Sequence, residues 1–123
     1  MRKLYAHAQE REAFGRPLAG FQVTRHKLVD MAMLTDVART YTYRAAARIE
    51  AGVNALREIS FAKIFTADVA ERVCREAIQI LGGYGYASEY GVERLYRDAR
   101  ILAIGGGTTE IMKEIAWKTL DGI

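Results

Sequence analysis

The chain has 123 residues, a length typical of one domain, and half of them are apolar, which is enough for one buried core. Its net charge of +3 is small and its basic residues are dispersed, which argues against nucleic acid as the main partner. The single cysteine, Cys74, excludes an internal disulfide framework and fits a reducing compartment. No apolar run approaches the roughly 18 residues of a membrane span, and residues 1–10 lack the apolar core of a secretion signal, so we expect a cytoplasmic protein.

Two long helices dominate the predicted fold. Residues 21–51 carry apolar side chains at intervals of three and four, the spacing of one face of an α-helix. A second apolar row, Val29, Met33 and Val37, widens that face. Residues 56–81 carry an apolar face broad enough to pack against two neighbouring helices. Both helices are longer than a minimal bundle requires, which indicates a surface used for association.

Shorter helices and glycine-rich turns complete the chain. Gly82 and Gly83 are expected to stop the second long helix. The hydroxyl of Thr108 or Thr109 can cap the last helix. No segment shows a strand pattern, so the sequence predicts an all-α fold, an up-and-down antiparallel helical bundle. The shorter helices are predicted at residues 3–13, 92–104 and 108–120.

The triple glycine at residues 105–107 is the first candidate site. Bare main chain at the start of a helix suits a phosphate or a thioester, because free amides and the helix dipole attract negative charge. By sequence statistics alone, a flexible turn between helices is the more ordinary interpretation. A second glycine cluster, "QILGGYGY" (79–86), has dinucleotide-like spacing, but no predicted strand precedes it, so a Rossmann site is excluded.

Side chains that could carry out chemistry by themselves are sparse. His7 and His26 have no acidic or cysteine partner at metal-binding spacing, so we predict no metal site. Cys74 lies within the apolar face of the second long helix and is interpreted as a small core residue. Glu110 and Glu114 lie one turn apart and are interpreted as a solvated face. Composition and periodicity thus lead to a helical bundle with two glycine-rich junctions and to no particular activity.

Four segments, in order and at matching intervals, resemble the C-terminal helical domain of the acyl-CoA dehydrogenases. They are "REAFGRPLAGFQ" (11–22), "AGVNALREISFAKIF" (51–65), "QILGGYGYASEYGVERLYRDAR" (79–100) and "IGGGTTEIMKEI" (104–115). The resemblance covers essentially the whole chain, residues 1–123. It implies an up-and-down four-helix bundle whose first helix is truncated here, because that helix begins upstream of Met1 in the family. It also implies that the family's N-terminal helical domain and middle β-domain are not in this chain.

The resemblance implies a function in the desaturation of acyl-CoA thioesters. Enzymes of this family introduce a double bond between Cα and Cβ and transfer a hydride to flavin adenine dinucleotide (FAD). The electrons then leave through an electron-transferring flavoprotein. Gly106 and Gly107 match the loop beside the substrate thioester. The bundle contacts in part the flavin of a neighbouring subunit, so a homodimer or homotetramer is expected. The positions that match cofactor-binding residues of the family are Arg11 (pyrophosphate), Phe14, Phe21, Gln22, the adenosine-contacting segment Gln79, Ile80, Leu81, Gly82 and Gly83, and the flavin-contacting helix start Thr108, Thr109 and Glu110.

One position departs from the pattern of many family members. They carry a glutamate at the position of Gly106, as the base that removes the α-proton, and glycine cannot act as a base. The resemblance therefore assigns no catalytic residue to this chain. The segment "GGGTTEIMKE" looks most like the long-chain and isovaleryl branch, which carries its base on the upstream bundle helix, before the position of Met1.

Three interpretations follow from the resemblance. The first is the C-terminal part of an acyl-CoA dehydrogenase, inactive when isolated. The second is a non-enzymatic binding or assembly module derived from that family, since the base and the β-domain are missing. The third is a relative with altered chemistry, such as an oxidase or a nucleic-acid-associated flavoprotein, and the dispersed charge argues against the latter. In each case we expect an exposed apolar strip that promotes self-association.

Overall fold

Helices account for most of residues 1–120, the part of the chain that the computed structural model describes; residues 121–123, the end of the predicted domain, lie outside the described residues. The all-α helical bundle predicted from the sequence is confirmed. The elements in chain order are α1 (Arg2–Glu10), β1 (Glu12–Ala13), β2 (Arg16–Pro17), a 3₁₀ turn (Leu18–Gly20), α2 (Gln22–Glu50), α3 (Leu56–Leu81), α4 (Gly83–Tyr86), a second 3₁₀ turn (Ser88–Tyr90), α5 (Val92–Ile101) and α6 (Thr109–Trp117).

A small hairpin replaces the end of the first predicted helix. Residues 11–13 were expected to be helical, but α1 ends at Glu10, and the expectation that no strand occurs is wrong at this point. The strands β1 and β2 pair antiparallel, with Glu12 opposite Pro17. The two turn residues, Phe14 and Gly15, have positive φ angles of 52° and 78°, the requirement of the tightest hairpin turns.

Helix α3 is the central element of the bundle. It packs along α2, α5 and α6 and also contacts α1 and α4, so the prediction that its broad apolar face meets two neighbours is confirmed and extended. Its start and end coincide with the predicted bounds. Gly52, with a φ of 68°, turns the chain between α2 and α3, and the two long helices lie side by side.

The buried core consists largely of small side chains. Alanine lets helix backbones approach closely, but each alanine removes little apolar area from water. At one end of the bundle the core also contains larger side chains, because Leu4 and Ala8 of α1 pack with Leu28 and Met31 of α2. The buried alanines are Ala8, Ala38, Ala45, Ala55, Ala62, Ala67, Ala99 and Ala116.

The second apolar row of α2 does not contribute to this core. Val29, Met33 and Val37 are 64%, 55% and 48% exposed and lie along one side of the helix. The expected exposed apolar strip is therefore present on α2. A row of this kind, rather than isolated exposed side chains, marks a surface that can be covered by another protein surface.

Ion pairs join α2 to α3 at both ends. The Lys27 ammonium lies 2.7 Å from a carboxylate oxygen of Glu76, and this hydrogen bond is the main cause of a lowered pKa of Glu76. At the other end, Nε of Arg48 lies 3.1 Å from a carboxylate oxygen of Glu58, which is buried in the first turn of α3. A negative charge there also suits the positive end of the helix dipole.

Among the described residues, no helix combines the length and the apolarity that crossing a membrane requires.

We expect Gly85→Ala to lower the free energy of unfolding by about 1–3 kcal/mol, because an added methyl group would overpack a filled site. A Cβ at Gly85 would lie 2.7 Å from Cα of Ile78 and 2.8 Å from its carbonyl oxygen. Gly83→Ala is the matched control, since a Cβ there meets no atom within 4 Å. Urea unfolding followed by circular dichroism measures both; equal stabilities of the two variants would contradict the expectation.

Candidate functional site

The two glycine-rich junctions form two separate corners of the bundle. We call the first the Gly82 corner, which comprises Arg11, the end of α3 and the start of α4. A pocket of about 290 Å³, open to solvent, lies at this corner. The pocket is lined by His7, Arg11, Leu18, Ile80, Leu81, Gly82, Gly83 and Tyr84.

The main chain of the Gly82 corner is bare toward the pocket. Gly82 ends α3 with a φ of 61° and a ψ of −135°, a conformation that glycine adopts far more readily than other residues. A Cβ at Gly82 or Gly83 would meet no atom within 4 Å. The stop predicted at Gly82 is thus confirmed, while Gly83 already begins the single turn α4. The corner offers exposed backbone beside one guanidinium group, that of Arg11.

Hydrogen bonding at the hairpin fixes the position of Arg11. Its carbonyl oxygen accepts from the backbone N–H of Leu18 at 2.8 Å, and its own N–H donates to the carbonyl of His7 at 2.8 Å. The residue therefore links the end of α1 to the 3₁₀ turn that precedes α2. This arrangement brings Arg11 to residues 80–83, about 70 positions later in the chain, which the helical periodicity could not have predicted.

Two rings that were not predicted as site residues, those of His7 and Tyr84, line the same pocket, and a third, that of Tyr90, packs against Tyr84 outside the pocket lining. The ring of His7 meets that of Tyr84 edge-on, with centroids 6.0 Å apart, and the ring of Tyr90 lies 5.0 Å from that of Tyr84. The sequence held one signal for His7: it precedes Arg11 by four residues, one helical turn.

The hairpin presents an aromatic side chain to solvent at a cost in backbone strain. Phe14 is 97% exposed and has a positive φ, which is rare for a bulky residue and costs about 1–3 kcal/mol. Its ring lies 6.4 Å from that of Phe21, edge to face, and the guanidinium carbon of Arg16 lies 3.9 Å from the Phe21 centroid. The hairpin therefore leaves the ring of Phe14 almost uncovered by the rest of the described chain. Gln22 and Gln79 are exposed and lie outside the pocket lining.

The second corner, the Gly106 corner, consists of residues 105–110. Gly106 and Gly107 both have positive φ angles, 67° and 98°. A Cβ at Gly107 would lie 3.0 Å from the sulfur of Met112, so only glycine fits there without a shift. Thr108 accepts a hydrogen bond from the N–H of Ile111 at 3.3 Å and is the cap of α6. The prediction of a threonine cap is confirmed, with Thr108 rather than Thr109 in that role.

The carboxylate of Glu110 is held in its ionised form. Its pKa is lowered, mainly by a hydrogen bond from its own backbone N–H and then by one from the hydroxyl of Thr108. The helix start is therefore a local source of donors, as its dipole also predicts. Glu110 and Glu114 are both exposed, which confirms their interpretation as a solvated face.

The two corners lie at different levels of α3. Lys63, in the first half of α3, contacts the loop that precedes Gly106, whereas the Gly82 corner begins where α3 ends. At about 1.5 Å of rise per residue, the corners are about 28 Å apart along the helix. Within one chain, they cannot both contact the same part of a small molecule.

Two other candidate groups give no further site. Within residues 1–120, no three His, Cys, Asp or Glu side chains come together as a metal-binding group. Cys74 is half-buried, and burial raises the pKa of its thiol, which keeps it protonated. This agrees with the interpretation of Cys74 as a packing residue.

A family model described as "Acyl-CoA dehydrogenase, C-terminal domain" matches residues 1–120. The chain belongs to the acyl-CoA dehydrogenase family, as the sequence motifs predicted. The chain spans only 26–31% of the length of the curated relatives that it matches.

Individual relatives agree in fold. A crystal structure of a probable acyl-CoA dehydrogenase from Mycobacterium abscessus is 49% identical, with a TM-score of 0.93, over 96% of this chain and 31% of that one. The structure titled "FAD complex of PigA" is 28% identical, with a TM-score of 0.92, over 97% of this chain and 31% of that one. The short-chain-specific acyl-CoA dehydrogenase of Megasphaera elsdenii is 44% identical over 85% of this chain and 27% of its own length. The predicted long-chain or isovaleryl-like branch is not confirmed by these relatives.

We expect Thr108→Ala to destabilise the protein by about 1 kcal/mol, the usual cost of a lost helix cap. The pKa of Glu110 should also rise part of the way to its ordinary value, because one of its two main donors is gone. A lowered pKa stabilises the fold above the carboxyl's unfolded pKa and loses that effect as the pH falls through the folded pKa. The free energy of unfolding of Thr108→Ala should therefore fall less steeply than that of the wild type as the pH falls through the folded pKa of Glu110.

Thr109→Ala is the control for this variant, since the described structure gives its hydroxyl no capping role. Urea titrations across acidic pH, with an NMR titration of Glu110, measure both effects. An unchanged Glu110 pKa in Thr108→Ala would contradict the expectation.

Proposed function

We propose that this chain is the C-terminal domain of an FAD-dependent acyl-CoA dehydrogenase that desaturates acyl-CoA thioesters between Cα and Cβ. FAD, when bound, accepts the hydride removed from the substrate. The observation that carries the proposal is the Gly82 corner. Motifs about 70 residues apart, each of which resembles a cofactor-contacting segment of the family, line one pocket there.

The chemistry of the Gly82 corner fits a dinucleotide. The guanidinium of Arg11 is a planar, permanently charged donor suited to a pyrophosphate. Bare backbone at Gly82 and Gly83 allows close approach of a ribose or phosphate, and the apolar side chains of Ile80 and Leu81 suit an adenine ring. Under this proposal Phe14, Phe21 and Gln22 extend the same surface along the hairpin. Gln79, an exposed residue in the last turn of α3, joins them.

The Gly106 corner is proposed to contact the reacting parts of the substrate and the cofactor, which are the thioester and the flavin. Gly106 and Gly107 leave main chain uncovered beside the thioester of the acyl-CoA substrate. Thr108, Thr109 and Glu110 at the start of α6 are proposed to contact the flavin, where helix amides favour electron-rich atoms.

The separation of about 28 Å between the corners supports a cofactor shared between subunits. If one chain's Gly106 corner contacts one flavin, its Gly82 corner is free to contact the cofactor of a neighbour. A homodimer or homotetramer is therefore part of the proposal.

None of the described residues is proposed as the catalytic base. Gly106 has no side chain, and the lowered pKa of Glu110 is the opposite of what a base at neutral pH needs. We infer that the base is a glutamate N-terminal to residue 1 in the complete protein, as in the long-chain and isovaleryl-like branch. This branch assignment is based on the glycine at position 106. An electron-transferring flavoprotein as electron acceptor and a cytoplasmic location are further parts of the proposal.

The complete protein should bind FAD, and its flavin absorbance should bleach on addition of acyl-CoA thioesters under anaerobic conditions. Arg11→Met should weaken FAD binding about tenfold or more, the value of a lost charged hydrogen bond. Arg2→Met, which removes an exposed arginine at the start of α1, is the matched control and should bind FAD normally. A complete protein that binds FAD but does not bleach with thioesters of any chain length would overturn the proposed reaction.

The exposed row on α2 should mediate self-association. Met33→Glu places a charge in the middle of this row and should reduce the oligomer fraction in sedimentation velocity, because a charge is costly to bury in an apolar contact. Ile49→Glu is the control, since Ile49 is equally exposed but lies on another side of α2. A monomeric wild-type protein at high concentration would contradict this part of the proposal.

A further inference from the structure

The end of α5 leaves carbonyl groups that the helix itself cannot satisfy. Beyond Ile101 the chain tightens into turns, with the N–H of Ile104 bonded to the carbonyl of Ile101 at 3.0 Å. Carbonyls at a helix end need donors from elsewhere. The carbonyl of Ala103 accepts from the N–H of Thr109 at 3.1 Å. Those of Leu102 and Gly105 accept from one side chain, that of Lys63.

Lys63 reaches these carbonyls from a different helix. It lies in α3 next to the buried Ala62, which packs in the core, and its own side chain is half-buried. Its ammonium donates to the carbonyl oxygen of Gly105 at 2.7 Å and also to that of Leu102. A cation at the carboxyl end of a helix is favourable, because the helix dipole is negative there. One charge thus connects the central helix to the first residue of the triple glycine.

The triple glycine needs such an anchor. Glycine has more accessible backbone conformations than other residues, so holding three of them in one conformation is entropically costly. The far end of the loop is held by the Thr108 cap and by the bond from Thr109 to Ala103. Among the described residues, Lys63 is the side chain that holds the near end.

We propose that Lys63 is a positioning residue, which holds the Gly105–Gly107 loop in the conformation that offers the main chain of Gly106 and Gly107 to the acyl-CoA thioester. The anchoring of the loop follows from the Lys63 contacts alone. Its consequence for the thioester rests on the proposed function above.

Amide hydrogen exchange of the complete protein tests the anchoring. Lys63→Met removes the ammonium and keeps most of the side-chain bulk. The amides of Gly105 and Thr109 should then exchange about tenfold faster, as expected for lost charged hydrogen bonds, while those of α2 stay unchanged. Lys63→Arg keeps the charge and the donors, and it should restore most of the protection. Lys113→Met, which removes an exposed lysine of α6, should have no effect.

Two results would overturn the anchoring. One is unchanged exchange at Gly105 and Thr109 in Lys63→Met. The other is equally faster exchange throughout α2 and α3, which would show a general loss of stability rather than a loosened loop.

Titration with a non-reacting acyl-CoA thioether, followed by the flavin spectrum, tests the consequence for the ligand. Its dissociation constant should rise about tenfold in Lys63→Met and return close to the wild-type value in Lys63→Arg. Unchanged affinity in Lys63→Met would overturn the positioning role. A wild-type protein without flavin would instead refute the proposed function, and the exchange experiment would still decide whether Lys63 anchors the loop.

Discussion

The packing of every other α-helix against α3 is the constraint on which the rest of this structure depends. Because α2, α5 and α6 all pack against α3, the positions of both glycine-rich corners are set relative to this one helix. The Gly82 corner lies where this helix ends, and the Gly106 corner is tied to it through Lys63. A change in the orientation of α3 would therefore move both corners together.

Small side chains make this packing possible and also limit it. The buried positions are mostly alanines, so the helices approach closely while the core removes only a modest apolar area from water. Many of the larger apolar side chains remain about half exposed or more, with Val29, Met33 and Val37 as the clearest row. A bundle of this kind gains stability from surfaces that cover it, which is consistent with a domain that spans under a third of its relatives' length.

Glycine serves different purposes at different points of the chain. At Gly85 it permits close contact with the backbone of Ile78. At Gly82 and Gly83 nothing within the described chain occupies the space that a side chain would take. Local packing explains the first glycine, and the positive φ at which Gly82 ends α3 explains the second, whereas Gly83 has no such reason within the described chain. Bare backbone beside Arg11 and next to an open pocket is what a bound nucleotide would require, and this contrast is the strongest physical argument for a ligand at the Gly82 corner.

From the residues alone we could predict the helical class, the bounds of α3, the stop at Gly82 and the capping of α6, because periodicity and capping are properties of neighbouring residues. The sequence motifs also led to the acyl-CoA dehydrogenase family. The folded chain was needed to establish which side of α2 is buried, the hairpin that exposes Phe14, the proximity of Arg11 to residues 80–83, and the contact of Lys63 with the triple-glycine loop. These features depend on contacts between residues from three to about 70 positions apart, and the sequence pattern of a single helix contains no information about what lies across from it.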